Sequence, residues 1–402
     1  MFLFLLNNLF PDAKIHFFPI SKKKSKFAVY FQTKKMRDYT YEIALTMLPG
    51  IGCHSARQLL DIVESAEAVF KMNPTELKHL FGTHQNIIDA ITGKTVFKAV
   101  EEEMSFIQKN KIKTLYYTDP DYPQRLNRPG CEDSPILLYS MGDADMNPER
   151  AVSVVGTRRA TEQGKELTQS LIDGFRDEGI TVVSGLALGI DAKAHEAALS
   201  NGLPTIGVLA HGLNRLYPPQ NRQLAKRMLK CGGSLLTEMR TDVKMTPNLF
   251  PVRNRIIAAL SDATIVVEAS KKGGALITAN IASGYNRDLF AFPGRIGDKY
   301  SEGCNAIIAS SKALLIRDAD DVMTNMGWER KSMKIGKQTK LFPNLQGDED
   351  AIYKILLEHS NITMEEIQGF CDMSLPKIAT VLLSLELKNL CRCLPGKIYK
   401  AI

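Results

Sequence analysis

Short runs of apolar residues, each ending near a glycine and followed by a helical pattern, recur through the centre of the chain. The first run, residues 151–155, is AVSVV and is followed by Gly156. Later runs occur in ITVVSGLALGIDAKAHEAAL, TIGVLAHGLNRL and ATIVVEASKKGGALITANIA. Apolar runs of this length that alternate with helices are typical of buried parallel strands. The pattern therefore predicts an α/β domain with a doubly wound, mainly parallel sheet over residues 99–326.

A helical pattern precedes this domain, over residues 37–98. It contains IALTMLPGIGCHSARQLLDIV, in which Pro49, Gly50 and Gly52 separate two amphipathic runs. This phrase resembles a helix-hairpin-helix, whose glycine turn offers backbone amides to a DNA phosphate. An ordinary helical turn within a packing module is an equal alternative. The segment predicts a small helical domain of the helix-hairpin-helix or SAM-like type.

The two ends of the chain differ in their patterns. Residues 348–402 predict three helices, followed by two short strands around a Pro-Gly turn, which is the pattern of a winged helix. Some winged helices bind duplex DNA and others bind proteins, and the sequence does not decide between these two kinds of partner. Residues 327–347 are polar and basic, and we interpret them as a linker. Residues 1–36 join an apolar stretch to a basic run without the order of a signal peptide. We expect them to be disordered or untranslated, with Met36 as the start.

Composition narrows the class of protein. The chain has 402 residues, of which 44% are hydrophobic and 24% are charged, as in ordinary globular proteins. Its net charge of +7 and isoelectric point near 8.9 favour an anionic partner. Seven cysteines without metal-binding spacing suggest reduced thiols and a cytoplasmic protein. No stretch approaches the length of about 18 apolar residues that a membrane span requires.

Candidate anion-binding residues follow the predicted strands. The carboxyl ends of parallel strands meet at one edge of a sheet, and ligands bind beyond that edge. Glycines there let the backbone approach a ligand, and the amides at helix N-termini favour anions. An arginine beside such amides can pair with a phosphate through two hydrogen bonds. These arguments select Gly156, Thr157, Arg158, Gly185, Gly189 and Gly274.

A second candidate group lies in FPVRNRIIAAL. Its aromatic ring, guanidinium groups and amide are those of single-strand binding sites, where bases stack and phosphates are neutralised. The group comprises Phe250, Arg253, Asn254 and Arg255. The alternative is that Phe250 is a core residue and that Arg255 forms a buried structural ion pair.

Signals for catalysis and metal binding are weak. The chain has no Gly-x-Ser-x-Gly, His-Glu-x-x-His or Walker motif. Asp191 and His195 are one helical turn apart, but a zinc site needs a third ligand. Glu238 and Glu268 lie near strand ends without a visible partner. We therefore expect no catalytic activity, no metal and no cofactor.

The phrases VVGTRRATEQG, VVSGLALGIDAKAHEAAL, RLYPPQNRQLA, FPVRNRIIAALSDATIVVEA, GGALITA, FAFPGRI and EGCNAII together resemble the DNA-processing protein A (Smf) family over about residues 116–320. The resemblance implies an extended Rossmann-like domain that binds single-stranded DNA and forms a homodimer. It also implies a role in natural transformation, in which incoming strands are protected and the RecA recombinase is loaded. Its DNA contacts would be Arg158, the turn with Gly185 and Gly189, and the group from Phe250 to Arg255. Many members have a lysine where this chain has Pro247, and Lys244 is the nearest substitute.

Two alternative functions remain at this stage. Related Rossmann-like folds include phosphoribohydrolases that cleave nucleoside monophosphates, although the segment from Lys272 to Thr278 lacks their glutamate on the following helix. The chain could instead be an adaptor whose winged helix recruits partners while DNA binding is incidental.

Overall fold

The structure, a computed structural model, describes residues 37–82, 84–330, 345, 347–359, 362–388, 390–394 and 398–401. The predicted leader, residues 1–36, lies outside the described residues, as does most of the predicted linker. The chain divides into two compact units, of which the first ends at Glu329 and the second begins at Arg330.

Six helices come first among the described residues of the first unit. They are α1 (Thr40–Thr46), α2 (Cys53–Ile62), α3 (Ala66–Lys71), α4 (Pro74–Phe81), α5 (Gln85–Thr92) and α6 (Phe97–Lys109). The turn between α1 and α2 holds Gly50 at a φ of +79°, which glycine adopts without strain. The boundary at residue 98 that the sequence suggests falls inside α6. Val100 and Ile107 of this helix belong to the same hydrophobic core as α1 and α2, so the whole of α6 packs with the helical domain.

A nine-stranded sheet forms the centre of the first unit. Its strands are β1 (Lys113–Tyr116), β2 (Leu137–Gly142), β3 (Arg150–Val155), β4 (Ile180–Ser184), β5 (Thr205–Val208), β6 (Ser234–Thr237), β7 (Ala263–Val266), β8 (Asp288–Ala291) and β9 (Leu314–Leu315). Their spatial order is β1-β2-β6-β5-β4-β3-β7-β8-β9. β2 is antiparallel to β1 and β6, whereas the other neighbours are parallel. The predicted doubly wound, mainly parallel sheet is confirmed.

Helices cover both faces of the sheet. They are α7 (Glu162–Asp173), α8 (Ile190–Ser200), α9 (Arg222–Lys230), α10 (Leu249–Ala259), α11 (Gly274–Gly284), α12 (Glu302–Ala309) and α13 (Ala319–Asn325). Val154 packs in a core with residues of α7 and α8, whereas its neighbour Val155 packs in a core with residues of α10 and α11. Strands buried on both faces are apolar at successive positions, which is why they are recognisable as continuous runs.

The strand order reverses at β3. From β3 the chain continues through β4, β5 and β6 on one side, and β7, β8 and β9 then extend the sheet on the other side. The carboxyl ends of β3 and β7 therefore lie side by side. The helices that follow them, α7 and α11, pack on opposite faces of the sheet. In doubly wound sheets this switch point is where ligands bind.

The second unit contains three helices and three short strands among its described residues. They are α14 (Asp348–Glu358), β10 (Ile362–Thr363), α15 (Met364–Phe370), α16 (Leu375–Leu387), β11 (Cys391–Leu394) and β12 (Ile398–Ala401). The strands form an antiparallel sheet in the order β10-β12-β11. Throughout the described parts of both units, every helix is too short or too polar to cross a membrane.

Asp262, just before β7, neutralises Arg125, whose side chain is mostly buried. Nε and Nη2 of Arg125 each donate to this carboxylate at 2.8 Å, and the amide of Ala151 donates to it as well. We expect Asp262→Ala to lower the free energy of unfolding by roughly 3 kcal/mol, because a buried guanidinium loses its charged partner. Urea unfolding followed by circular dichroism measures the change. Asp288→Ala removes an exposed carboxylate and should cost less than about 0.5 kcal/mol. Equal losses in the two variants would contradict this role for Asp262.

Candidate nucleic-acid interface

An open cleft of about 450 Å³ lies at the switch point of the sheet. The turn after β3, the turn after β7 and the first turns of α10 and α11 form its walls. The fold brings residues of both candidate groups together in the lining of the cleft, whereas Gly185 and Gly189 of the first group lie behind it. The lining includes Gly156, Thr157, Arg158, Phe250, Arg253, Asn254, Gly273 and Gly274.

Arg158 and Phe250 form a direct contact across the cleft. The guanidinium carbon of Arg158 lies 5.3 Å from the centre of the Phe250 ring, which is a cation–π distance. The turn that carries Arg158 is anchored by the amide of Thr157, which donates to the carbonyl of Glu268 at 2.8 Å. Arg158 remains solvent-exposed, so its charge stays available to an anion.

Arg253 forms the floor beside this contact, and its side chain is only 4% exposed. Its Nη1 donates to the carbonyl of Val208 at 2.5 Å, while no described residue accepts a hydrogen bond from its Nε. Burial, together with the nearby charge of Arg158, lowers the pKa of Arg253 to about 10 against the opposing effect of Asp191. Burial also raises the pKa of Asp191. The cleft thus holds a charged guanidinium that its surroundings neutralise only partly.

Two glycines permit this arrangement. A Cβ atom on Gly185 would overlap Nη1 of Arg253, so only glycine leaves room for the guanidinium. Gly189 has a φ of +83° and precedes α8, and a Cβ atom there would overlap the carbonyl oxygen of Thr157. Both positions therefore require glycine for close packing.

The N-terminus of α11 closes the other side of the cleft. Gly273 is the residue before the helix, Gly274 is its first residue, and both line the cleft. A Cβ atom built on Gly274 meets no atom within 4 Å, so the helix start is open. Unpaired amides at a helix N-terminus favour an anion. Lys271 and Lys272 are exposed beside them and add positive charge.

Arg255 and Lys244 do not line the cleft. Nη2 of Arg255 donates to the carboxylate of Glu238 at 2.5 Å, beside the thiol of Cys53 in α2. Two residues along a helix correspond to a rotation of about 200°, so Arg253 and Arg255 lie on opposite sides of α10. The structure therefore corrects the expectation that Arg255 belongs to the cleft. Its side chain forms the alternative, a mostly buried ion pair with Glu238. Lys244 is exposed in the loop before α10, and Pro247 lines the cleft instead.

Tyr217 is a cleft residue that the sequence analysis did not select. It is 43% exposed, and its ring meets Phe250 edge to face, with the ring centres 5.8 Å apart. The two aromatic rings and Arg158 thus form one continuous surface. The available signal was the position of Tyr217 between a predicted strand and a helix, since loops at the carboxyl edge carry ligand contacts.

Glu238, Glu268 and His195, which lie near the cleft, form hydrogen bonds and an ion pair within the fold. Glu268 accepts hydrogen bonds from the amide and the hydroxyl of Thr161 at the start of α7, and Glu238 pairs with Arg255. His195 is buried against the hydroxyl of Thr205, and burial lowers its pKa to about 3. The described residues contain no group of three or more side chains placed to hold a metal ion. The arrangement favours binding of an anion over acid–base chemistry.

Gly189 allows a stability test of this packing. We expect Gly189→Ala to lower the free energy of unfolding by about 3 kcal/mol, because a positive φ and an overlap with the backbone both disfavour the Cβ atom. Gly202→Ala is the matched control. Gly202 has a φ of +67°, but a Cβ atom there meets nothing within 4 Å, so the loss should be about 1 kcal/mol. Thermal unfolding measures both, and equal losses would show that the contact with Thr157 is unimportant.

The chain is similar to known proteins over the region that contains the sheet and the cleft. Residues 113–327 match the family model described as DNA recombination-mediator protein A. Protein Smf of Synechocystis sp. is 33% identical over 333 residues, which are 81% of this chain and 80% of that protein. DNA processing protein DprA of Streptococcus pneumoniae is 38% identical over 213 residues, which are 53% of this chain and 74% of that protein. The X-ray structure of DNA processing protein A from Streptococcus pneumoniae matches with a TM-score of 0.60 and 31% identity, over 72% of this chain and 98% of that one. The chain belongs to the DNA recombination-mediator protein A family.

Proposed function

We propose that this chain binds single-stranded DNA in the cleft and acts in DNA processing without catalysing a reaction. The observation that carries the proposal is the meeting of Arg158, Arg253 and Phe250 at the switch point. Cations together with open helix amides suit phosphates, and an exposed aromatic surface suits bases. The names of the relatives, which refer to DNA processing and DNA recombination, support DNA as the ligand over a free nucleotide.

The aromatic contacts favour a single strand over a duplex. Phe250 and Tyr217 meet edge to face at the cleft, and Tyr217 is partly exposed. Bases within a duplex are stacked on one another and cannot place a face on such rings, whereas unpaired bases can. Stacking on an aromatic ring does not depend on which base is present, so we expect weak sequence preference. Phosphate contacts then dominate the affinity, which falls steeply with salt.

In the cell, the proposed role is natural transformation in the cytoplasm. The chain would protect incoming strands, load the RecA recombinase on them and form a homodimer through the Rossmann-like domain. At one end of the sheet, β9 exposes Leu314 and Leu315, and β8 is its one neighbour among the described strands. An edge strand with exposed apolar residues is suited to pairing with another protein chain, which supports the dimer.

We propose that the second unit contacts a protein partner, as one form of winged helix does. Two lysines, one in its helix α16 and one at the C-terminal end of that helix, are already paired, since Lys377 lies 2.5 Å from Asp348, and Lys388, directly after the helix, lies 2.6 Å from Glu349. The exposed face of the same helix carries apolar residues four positions apart. These are Leu375, Ala379, Leu383 and Leu387. Such a face favours a protein over a DNA backbone.

Arg158 provides the main test of the binding site. We expect Arg158→Ala to weaken binding to a fluorescent single-stranded oligonucleotide about tenfold, because one phosphate loses its cation. The slope of log affinity against log salt should become shallower by about 0.7 to 1 unit in an anisotropy titration. Arg159→Ala removes the same charge from the next exposed residue, outside the cleft, and should change the affinity less than about twofold. Equal effects of the two variants, or none, would remove Arg158 from the site.

The role of the second unit has a separate test. A chain that lacks residues 348–402 should bind single strands with unchanged affinity, because the cleft lies wholly in the first unit. It should fail to accelerate RecA assembly on single-stranded DNA coated with a single-strand-binding protein. Leu387→Glu, at a side chain that is 78% exposed, should reduce the acceleration without affecting the fold. Full acceleration by both proteins would exclude the second unit as the partner site.

A further inference from the structure

The turn that follows β4 has a backbone conformation that its own residues do not favour. Leu186 is buried, yet its φ is +53°, in the left-handed region that suits glycine. A leucine keeps such a conformation only where its surroundings fix it. The turn is therefore held in place by contacts from elsewhere in the fold.

Two polar side chains supply those contacts. On one side, the carboxylate of Asp191 accepts a hydrogen bond from the amide of Gly185 at 3.1 Å. On the other side, Nδ2 of Asn221 donates to the carbonyl of Leu186 at 2.9 Å and to that of Ala187 at 3.1 Å. Asn221 is buried, and it directly precedes α9. Its amide therefore joins the segment before α9 to the turn after β4.

This turn is the support of the buried guanidinium in the cleft. Gly185 lies so close to Nη1 of Arg253 that a single added carbon would overlap it. The one hydrogen bond of this side chain among the described residues goes to the carbonyl of Val208. A displacement of Gly185 would therefore change the position of the guanidinium. The turn that carries Arg158 packs against Gly189, but it has a further support that Asn221 does not provide, in the hydrogen bond between Thr157 and Glu268.

The segment of Asn221 also carries an aromatic wall of the cleft. Tyr217 lies four residues earlier, and its amide donates to Nε2 of the buried His211 at 3.1 Å. The segment is thus fixed at both ends, by His211 at Tyr217 and by the turn at Asn221. Tyr217 therefore keeps the support of His211 when the amide of Asn221 is lost, whereas the turn after β4 loses both of its hydrogen bonds to Asn221.

We infer that Asn221 is a positioning residue of the interface, which places the guanidinium of Arg253 for a phosphate by holding the carbonyls of Leu186 and Ala187. The inference rests on the proposed binding of single-stranded DNA, and it assigns no contact between Asn221 and the DNA. Because the side chain acts through the turn, its effect on affinity should depend on Arg253 and not on Arg158.

The test is a set of double-mutant cycles on single-strand affinity, measured by anisotropy at a temperature where every variant is folded. Asn221→Ala should weaken binding about fivefold to tenfold. In an Arg253→Met background the same substitution should cost less than about twofold, whereas in an Arg158→Ala background it should keep its full effect. Arg253→Lys replaces Arg253→Met if the latter does not fold. Asn286→Ala, at an exposed asparagine outside the cleft, should bind like the wild type.

The outcomes separate the inference from the proposed function. Wild-type affinity in Asn221→Ala, or an equal loss with and without Arg253, would overturn the positioning role, even if the unfolding temperature falls. In either case, strong wild-type binding that weakens in Arg158→Ala would leave the proposed function intact. Absence of single-strand binding by the wild-type chain would overturn both.

Discussion

The structure depends on a positive charge that is buried at the edge of a parallel sheet. Burying an ionised group is costly unless hydrogen bonds or an opposite charge compensate for it. Arg253 has Asp191 nearby, but the pKa of the arginine is lowered and that of the aspartate is raised, so neither charge is fully compensated. A phosphate in the cleft would bring both a negative charge and acceptor oxygens to the unpaired Nε. Under the proposed function, the affinity for a phosphate depends on this packing, since the backbone around Gly185 leaves room for the side chain of Arg253.

The same helix that carries this charge is held by the helical module. Arg255 joins Glu238 next to Cys53, and the buried Glu103 of α6 accepts hydrogen bonds from the amide and the hydroxyl of Thr241. Arg240 donates to the carbonyl of Thr46 in α1 at 2.8 Å. These contacts fix the loop between β6 and α10, and so they fix the start of the helix that presents Phe250 and Arg253. The module therefore stabilises the cleft, whether or not its own hairpin meets DNA.

The sequence predicts most of the sheet and much of the site, for identifiable reasons. Continuous apolar runs mark strands buried on both faces, and glycines mark the turns at their carboxyl ends, as at Gly156 and Gly185. Proximity to a predicted strand end could not show which way a side chain points. Arg253 and Arg255 are identical residues two positions apart, and the pattern of the sequence does not distinguish them. The rotation along the helix places Arg253 in the cleft and Arg255 in an ion pair. Tyr217 was missed because its role depends on meeting Phe250, which is 33 positions away along the chain and has no local signature.

The distribution of groups around the cleft argues for a polymer over a small substrate. The positive charge is spread between a buried guanidinium, an exposed one and a helix terminus, on different walls of an open cleft. An enzyme for nucleoside monophosphates would need a free acid or base at the sugar. Glu238 and Glu268 already bind partners within the fold, and the segment of α11, GALITANIASG, contains no carboxylate. Phosphates that follow one another along a strand could use each wall in turn, with unpaired bases placed on the aromatic surface between them. Under the proposed function, the arrangement is suited to holding a flexible polyanion along its length through many moderate contacts.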